Sequence, residues 1–132
     1  MSVQLEPLGD WVVQLFATVF AQQDDTNATK AYTEGWDPSF HVKVNHDSLN
    51  YDQYKEAINK SRTQSDITLQ SSSEILKWDD AEGKGGAVGH LIKFTLKDKT
   101  TGKETQGTNL ILTAVKWIDG KRVITEMTEV AV

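Results

Sequence analysis

The chain has 132 residues, of which 38% are hydrophobic and 8% aromatic, so we expect one globular domain over residues 1–132 and exclude a disordered or fibrous chain. It contains no cysteine, which excludes disulfide bonds, thiol nucleophiles and thiolate metal sites. The net charge is −5 and no basic run is present, so nucleic acid is not expected as a partner.

The N-terminal segment, MSVQLEPLGDW, lacks the basic and apolar regions of a signal peptide. No apolar run in the sequence approaches the ~18 residues that a membrane span needs. We therefore expect a cytoplasmic location and no membrane association.

The segment from Asp10 to Gly35 has the periodicity of two helices. Apolar residues on one helical face predict a first helix from Trp11 to Phe20, with Asp10 as its N-cap. A short second helix is expected over Asn27–Glu34, with Gly35 in the C-cap role.

A strand and a third helix come next along the chain. Phe40–Val44 alternates apolar and polar residues, which predicts a half-buried strand, and Asn45–Ser48 has the composition of a turn. Asn50 and Gln53 form a variant of the capping box, which predicts a helix over Tyr51–Arg62.

From Asp66 onward the hydrophobic period changes to two. Asp119-Gly120 is a strong two-residue hairpin signal, and glycine-rich turns separate the other segments. Helices followed by such a meander predict an α+β domain with the helices on one face of an antiparallel sheet. Four strands are expected, over Ile67–Trp78, Ala87–Asp98, Glu104–Ile118 and Arg122–Val130.

Two segments carry a resemblance to a known fold family. Val44–Tyr54 resembles the strand, turn and helix entry of the nuclear-transport-factor-2-like superfamily, specifically of its SnoaL-like branch. Val115–Lys121 is similar to the hairpin that precedes the last strand in that family. The resemblance covers nearly the whole chain and implies a cone-like, curved antiparallel β-sheet wrapped around the N-terminal helices.

The same resemblance implies a range of functions. The cone in this family often encloses an apolar pocket, and two chains usually form a dimer through the outer face of the sheet. Members include cofactor-free isomerases, dehydratases and polyketide cyclases, as well as transport and assembly modules without chemistry. The resemblance thus implies a small-molecule ligand and no cofactor, and leaves open whether the chain is an enzyme.

Without thiols or a metal-binding motif, any catalysis is expected to be proton transfer. His90 alternates with Val88, Ile92 and Phe94, which places it on the inward face of its strand. An imidazole among apolar neighbours stays neutral and can serve as a base near pH 7. The alternative is a core histidine that makes one structural hydrogen bond.

Several polar and aromatic side chains are candidates for the pocket wall. Tyr32, Tyr51 and Tyr54 can donate hydrogen bonds to a substrate carbonyl, or they simply pack in the core. Ser71 and Ser73 share the inward parity of their strand, unless a bulge in this segment turns them to solvent.

Further candidates lie at the start of the first strand and in the last strands. Trp36 precedes Asp37, which is either a pocket group or a turn former before Pro38. In the last strand one parity holds Glu126 and the other Glu129, so one glutamate faces inward either way. We also expect three more residues to contact the substrate: Phe94, Asn109 and Met127.

The outer face of the sheet is expected to be covered. Leu91, Ile111, Val115 and Trp117 would form an apolar patch too large for a monomer to expose, which predicts a homodimer. We favour an enzyme of isomerase, dehydratase or cyclase type, in which His90 and Glu126 serve catalysis and Tyr54 or Tyr51 polarises the carbonyl. The alternatives are a passive ligand-binding module and a dimeric interaction protein.

Overall fold

The computed structural model describes residues 5–132, which form three α-helices, one π-helical turn and six strands. The helices pack on one face of a single curved sheet, so the predicted α+β class is confirmed. In chain order the elements are α1 (Leu8–Phe16), the π-helical turn (Ala17–Ala21), α2 (Asp25–Gly35), β1 (Trp36–Val44), β2 (Asp47–Asn50), α3 (Tyr51–Gln64), β3 (Ser65–Asp79), β4 (Gly86–Asp98), β5 (Glu104–Ile118) and β6 (Lys121–Ala131).

The starts of the helices follow the capping residues. Asn50 and Gln53 form the predicted capping box at α3, with both reciprocal hydrogen bonds at 2.9 Å. Helix α2 begins earlier than predicted because the Asp24 side chain accepts hydrogen bonds from the amides of Thr26 and Asn27. Helix α1 also begins earlier, since Pro7 occupies its N-cap and Asp10 lies inside the first turn.

The sheet is mixed, which corrects the predicted antiparallel architecture. Its strand order is β2-β1-β6-β5-β4-β3, and β3 to β6 form the predicted antiparallel meander. Strand β1 pairs with β6 in parallel, and β2, which was predicted to be part turn, pairs with β1 as a short edge strand. Strand β6 is therefore an interior strand that pairs with a neighbour on each side.

Three β-bulges change which residues face the helices. The register of β3 against β4 skips Gln70 and Ile75, and the register of β6 against β5 skips Thr125. Each extra residue reverses the alternation of side chains beyond it. In β6 both Ile124 and Met127 are therefore buried on the inner face, although strict alternation would place them on opposite faces.

Arg62 at the end of α3 fixes the helical layer above the sheet. Its guanidinium group donates to the carbonyl of Val19 at 3.1 Å and to the carboxylate of Asp25 at 2.7 Å. A cation is favourable at the C-terminal end of a helix because it offsets the unpaired carbonyl groups there. This contact holds the π-helical turn in place against α3.

Gly86, at the start of β4, is expected to resist substitution. Its φ of +154° is one that L-residues rarely adopt, and a Cβ there would lie 3.1 Å from Asp79 Cα and closer still to the Trp78 carbonyl oxygen. Gly86→Ala should lower the free energy of unfolding by about 2 kcal/mol, measured by urea denaturation. Gly83→Ala is the control, because Gly83 lies in the turn just before β4 and has open space around it. An equal loss of stability in both variants would contradict the clash at Gly86.

Candidate functional site

A cavity of about 560 Å³ lies between the inner face of the sheet, α3 and the π-helical turn. Its volume suits a small organic ligand. Most of its lining is apolar, whereas Asp47, Ser48, Ser61, Asn109 and Glu129 are the polar exceptions besides Tyr54. The apolar lining consists of Phe16, Phe20, Val44, Leu49, Ala57, Ile58, Ile67, Leu69, Ile92, Phe94, Leu96, Ile111 and Met127.

Glu129 is the buried carboxylate of this cavity. It lies on the inner face of β6, opposite Ile111, and is only 6% exposed. Burial raises the pKa of its carboxyl group to about 7, and the side chain of Asn109 opposes this rise by hydrogen bonding. The group can therefore hold or release a proton near neutral pH.

The bulge at Thr125 decides which glutamate enters the cavity. Glu126 follows the bulge directly and faces the outer side of the sheet, where its side chain is 58% exposed. Its carboxylate lies 2.9 Å from Nε2 of His41 on the neighbouring strand. Glu126, predicted to be catalytic, therefore does not line the cavity, and Glu129 takes the inward position.

Tyr54 supplies a hydroxyl group to the cavity. Its ring is 5% exposed and packs against Phe40 at 5.4 Å and Phe20 at 6.4 Å between ring centroids. Burial raises the pKa of the phenol well above its usual value, and the nearby charge of Glu129 raises it further. The phenol therefore stays protonated and can donate a hydrogen bond to a ligand.

Asn109 lies beside Glu129 on the neighbouring strand. It pairs with Ala131 across the ladder and is thus a diagonal neighbour of Glu129 on the inner face. Its Oδ1 atom is buried and has no hydrogen-bond partner among the described residues. The polar end of the cavity therefore combines a carboxyl, an amide and a phenol.

His90 lies outside this cavity. It faces the helices, as its alternation predicts, but the first turn of α1 covers it, and it is 2% exposed. It borders a separate cleft of about 310 Å³ together with Asp10, Gln14, Ser72 and Glu74. Burial lowers the pKa of its imidazole, whereas Glu74 and Asp10 act in the opposite direction. The structure thus separates the imidazole from the apolar cavity.

The other predicted aromatic contacts form a packed cluster. The ring of Tyr32 stacks on Trp36 at 5.0 Å and lies 4.8 Å from Tyr51. The Tyr32 hydroxyl donates to the Tyr51 carbonyl at 2.7 Å, so it is already paired. None of the three lines the cavity; Tyr32 supports it indirectly, with its ring 6.3 Å from that of Tyr54.

Ser71 and Ser73 do not line the cavity either. The bulge at Gln70 turns both to the outer face of β3, where they are exposed, and turns Ser72 toward His90 instead. Their position matches the alternative expectation for this segment, in which a bulge leaves the two hydroxyl groups in solvent. Of the predicted substrate contacts, the structure brings three together in the cavity with Tyr54: Phe94, Asn109 and Met127.

The helical wall of the cavity was not predicted. Phe16 and Phe20 belong to the apolar stripe of the first helix, and Ala57 and Ile58 to that of α3. The small side chains of Ala57 and Ser61, which are exposed and line the cavity from α3, are the signal in the sequence, since they leave space above the sheet.

The outer face of the sheet carries an apolar patch that differs from the predicted one, although Leu91 of the predicted patch does lie on this face, opposite Leu110. Leu76 is 77% exposed and Leu112 is 54% exposed. Ile111 and Val115, which belong to the predicted patch, are instead buried on the inner face. The residues that alternate with them on β5, such as Leu112, point outward. The outer patch consists of Ile75, Leu76, Trp78, Leu110, Leu112 and Val130.

Residues 5–132 contain neither a metal-binding cluster nor a helix that could span a membrane. No group of three or more His, Cys, Asp or Glu side chains in this range is arranged to hold a metal ion. None of its helices combines the length and the apolar character needed to cross a membrane.

No family model and no curated protein matches the sequence, but solved structures match the fold. A ketosteroid isomerase-like protein from Erwinia carotovora atroseptica has 11% identity and a TM-score of 0.72, with 98% of both chains covered. A nuclear-transport-factor-2-like (NTF2-like) protein of unknown function from Exiguobacterium has 15% identity and a TM-score of 0.67, with 92% of this chain and 97% of that chain covered. The association domain of C. elegans CaMKII has 10% identity and a TM-score of 0.62, with 92% of this chain and 90% of that chain covered.

These likenesses concern the fold. The chain has the NTF2-like cone, as the sequence resemblance implies, and the structures it matches do not single out the SnoaL-like branch. Because the matched structures include an isomerase-like protein, an association domain and a protein of unknown function, the fold alone does not decide the function, and the site has to.

Proposed function

We propose that this NTF2-like domain is a cofactor-independent enzyme that moves a proton next to the carbonyl group of an apolar substrate. The observation that carries the proposal is Glu129, a buried carboxyl group with a pKa of about 7 that faces an apolar cavity. A base whose pKa lies near the working pH transfers protons most efficiently. Isomerisation, dehydration and cyclisation all begin with such a transfer.

The proposed step uses two side chains. The ionised carboxylate of Glu129 removes a proton from the carbon next to the carbonyl, and the electrons of the C–H bond move toward the carbonyl oxygen. The Tyr54 hydroxyl donates a hydrogen bond to that oxygen as its negative charge develops. Glu129 then gives a proton back to the substrate, either the one it removed or one that has exchanged with solvent, so the enzyme ends in its starting state.

Other cavity residues are proposed to bind the substrate. The side chains of Phe94 and Met127 contribute to the apolar wall, and the side chain of Asn109 lies beside Glu129, where it opposes the rise of the carboxyl pKa. We propose no direct part in proton transfer for His90 or Glu126, because neither lines the cavity. The chemistry needs only the substrate and a proton, which fits the cytoplasmic location predicted from the sequence.

The proposal is tested with β-tetralone, a compact apolar ketone, in D₂O. The wild-type protein should accelerate exchange of the hydrogens next to the carbonyl by about a hundredfold or more over buffer, followed by proton NMR. Saturable binding without exchange would favour the alternative of a passive ligand-binding module. Neither binding nor exchange would favour an interaction protein with no ligand.

We further propose that two chains form a homodimer through the outer patch. Exposed apolar side chains concentrated on one face are typical of protein interfaces. One solved structure with this fold is an association domain, which is consistent with assembly through this architecture. A two-fold axis would bring the same patch of each chain together.

Leu112→Lys is expected to weaken this dimer at least about tenfold, because it places a charge in the apolar patch. Leu112 is half exposed in the monomer, so its substitution should leave the fold intact. Sedimentation velocity over a concentration series measures the effect. Gln106→Lys is the control, at the polar end of the same strand and on the same face; a monomeric wild-type protein would contradict the dimer.

A further inference from the structure

The ring of Phe94 lies directly on Gly107. The two residues are paired across β4 and β5, and both lie on the inner face of the sheet. A Cβ built on Gly107 would lie 2.7 Å from Cε2 and 3.1 Å from Cε1 of the Phe94 ring, and closer still to its tip. The ring can therefore lie flat against β5 only because position 107 has no side chain.

Phe94 lies far from Glu129, but it is not the end of the cavity. Glu129 pairs with Ile111, and Ile111 pairs with His90 on β4. Phe94 is four residues further along β4, a distance of about 14 Å at ~3.4 Å per residue. The lining continues past Phe94 to Leu96, two residues further along the same strand, so a molecule that extends from Glu129 to this end of the cavity passes the ring of Phe94.

We infer that Gly107, by letting Phe94 lie flat, sets the length of substrate that the cavity accepts. A side chain at position 107 would stand perpendicular to the sheet on its inner face and push the ring into the cavity. This inference rests on the proposed function, and it makes the substrate an elongated apolar molecule. Its reacting carbonyl lies at Glu129, and its tail extends past the ring of Phe94 toward Leu96.

Methyl n-alkyl ketones from ethyl to dodecyl test the length limit, with affinity measured by displacement of Nile red. In the wild-type protein affinity should rise about fourfold per methylene group until the tail reaches the end of the cavity beyond Phe94, and then level off. In Gly107→Ala the rise should stop at a shorter chain. The longest ketone that the wild type accommodates should then bind about tenfold more weakly, and the ethyl ketone should bind equally well.

Phe94→Ala tests whether the displaced ring causes the shorter limit. Gly107→Ala combined with Phe94→Ala should regain the chains that Gly107→Ala alone rejects, because the ring that would block the cavity is absent. Gly89→Ala is the matched control, because its Cβ would meet Leu112 on the outer face at 3.0 Å and not the cavity. Its profile of affinity against chain length should equal that of the wild type.

Two results would overturn the inference. One is an unchanged length limit in Gly107→Ala; the ring would then only stabilise the strand pair, as aromatic side chains do when they cover glycine in sheets. The other is a fall in affinity that is the same for short and long ketones. Loss of hydrogen exchange with an intact length limit would instead remove the proposed chemistry and leave the length limit standing.

Discussion

Glu129→Gln is expected to lower the rate of hydrogen exchange on β-tetralone by about a hundredfold to ten-thousandfold. Glutamine has the shape of glutamate but cannot accept the proton, so the cavity and its affinity for the ketone should change little. The loss should therefore appear in the turnover of bound ketone and not in binding. A decrease below tenfold would contradict the role of Glu129 as the base.

The pH dependence of the same rate gives an independent readout. Glu129 acts as a base only when ionised, and burial raises its pKa to about 7. The exchange rate in the wild-type protein should therefore rise as the pH increases through about 7 and level off above it. Tyr54 remains protonated over this range because burial raises the pKa of its phenol, so no fall is expected at moderately alkaline pH.

Glu126→Gln and His90→Gln are the matched controls. Glu126 is three positions away on the same strand and pairs with His41 on the outer face, whereas His90 lies under the first turn of α1. Both variants should keep the exchange rate within a few-fold of the wild-type rate. If Glu126→Gln or His90→Gln instead abolished exchange, catalysis would have to be assigned to the residues predicted from strand alternation and not to those of the cavity.

The second large effect concerns stability. We compare the free energy of unfolding of Glu129→Gln with that of the wild type. This difference is expected to be about 3 kcal/mol more in favour of the variant well above pH 7 than near pH 4. The pKa of Glu129 rises from 4.5 to about 7 on folding, so the folded state binds its proton more tightly than the unfolded state does. Ionising the buried group therefore costs stability.

The direction of this dependence follows from proton linkage. Between about pH 4.5 and 7 the unfolded chain has released this proton and the folded chain still holds it, so stability falls as the pH rises. Above about pH 7 both states are ionised and the loss is complete. Glutamine does not titrate, so the difference between variant and wild type isolates this contribution from all other groups.

Urea denaturation at several pH values measures this difference. Glu126→Gln serves as the control again, because this side chain is exposed and its substitution removes no buried carboxyl group. A difference between Glu129→Gln and wild type that does not change from pH 4 to 9 would mean that the carboxyl group is not desolvated in the folded protein.

Local signals in the sequence predicted most of the secondary structure, but not β2 or the starts of α1 and α2. The capping box of Asn50 and Gln53 and the Asp119-Gly120 turn act within a few residues, so their positions follow from the chain alone. The parallel pairing of β1 with β6 joins segments about eighty residues apart, and no local pattern specifies it. The mixed sheet was missed for that reason.

The candidate site depends on features that alternation cannot locate. The bulge at Thr125 determines that Glu129 faces inward and Glu126 outward, and the bulge at Gln70 moves Ser71 and Ser73 to the outer face. A bulge is set by pairing with the neighbouring strand and not by the residue types at the bulge. The sequence could therefore predict that one glutamate faces inward, but not which one.

The position of His90 shows a second limit of sequence analysis. Alternation correctly placed it on the face that the helices cover, but it could not show that α1 fills that end of the cone. The open cavity lies further along the strands, where α3 presents Ala57 and Ser61. Which part of an inner face is packed and which part is open depends on the helices above it.

The protonation of Glu129 at neutral pH is the property on which the proposed chemistry depends, and carbon NMR measures it directly. The side-chain carboxyl signal, assigned by its absence in Glu129→Gln, should titrate with a pKa of about 7 in the folded protein. A midpoint near 4.5, the value of an ordinary glutamate, would show that the group is fully ionised at neutral pH and would contradict a desolvated base in the cavity.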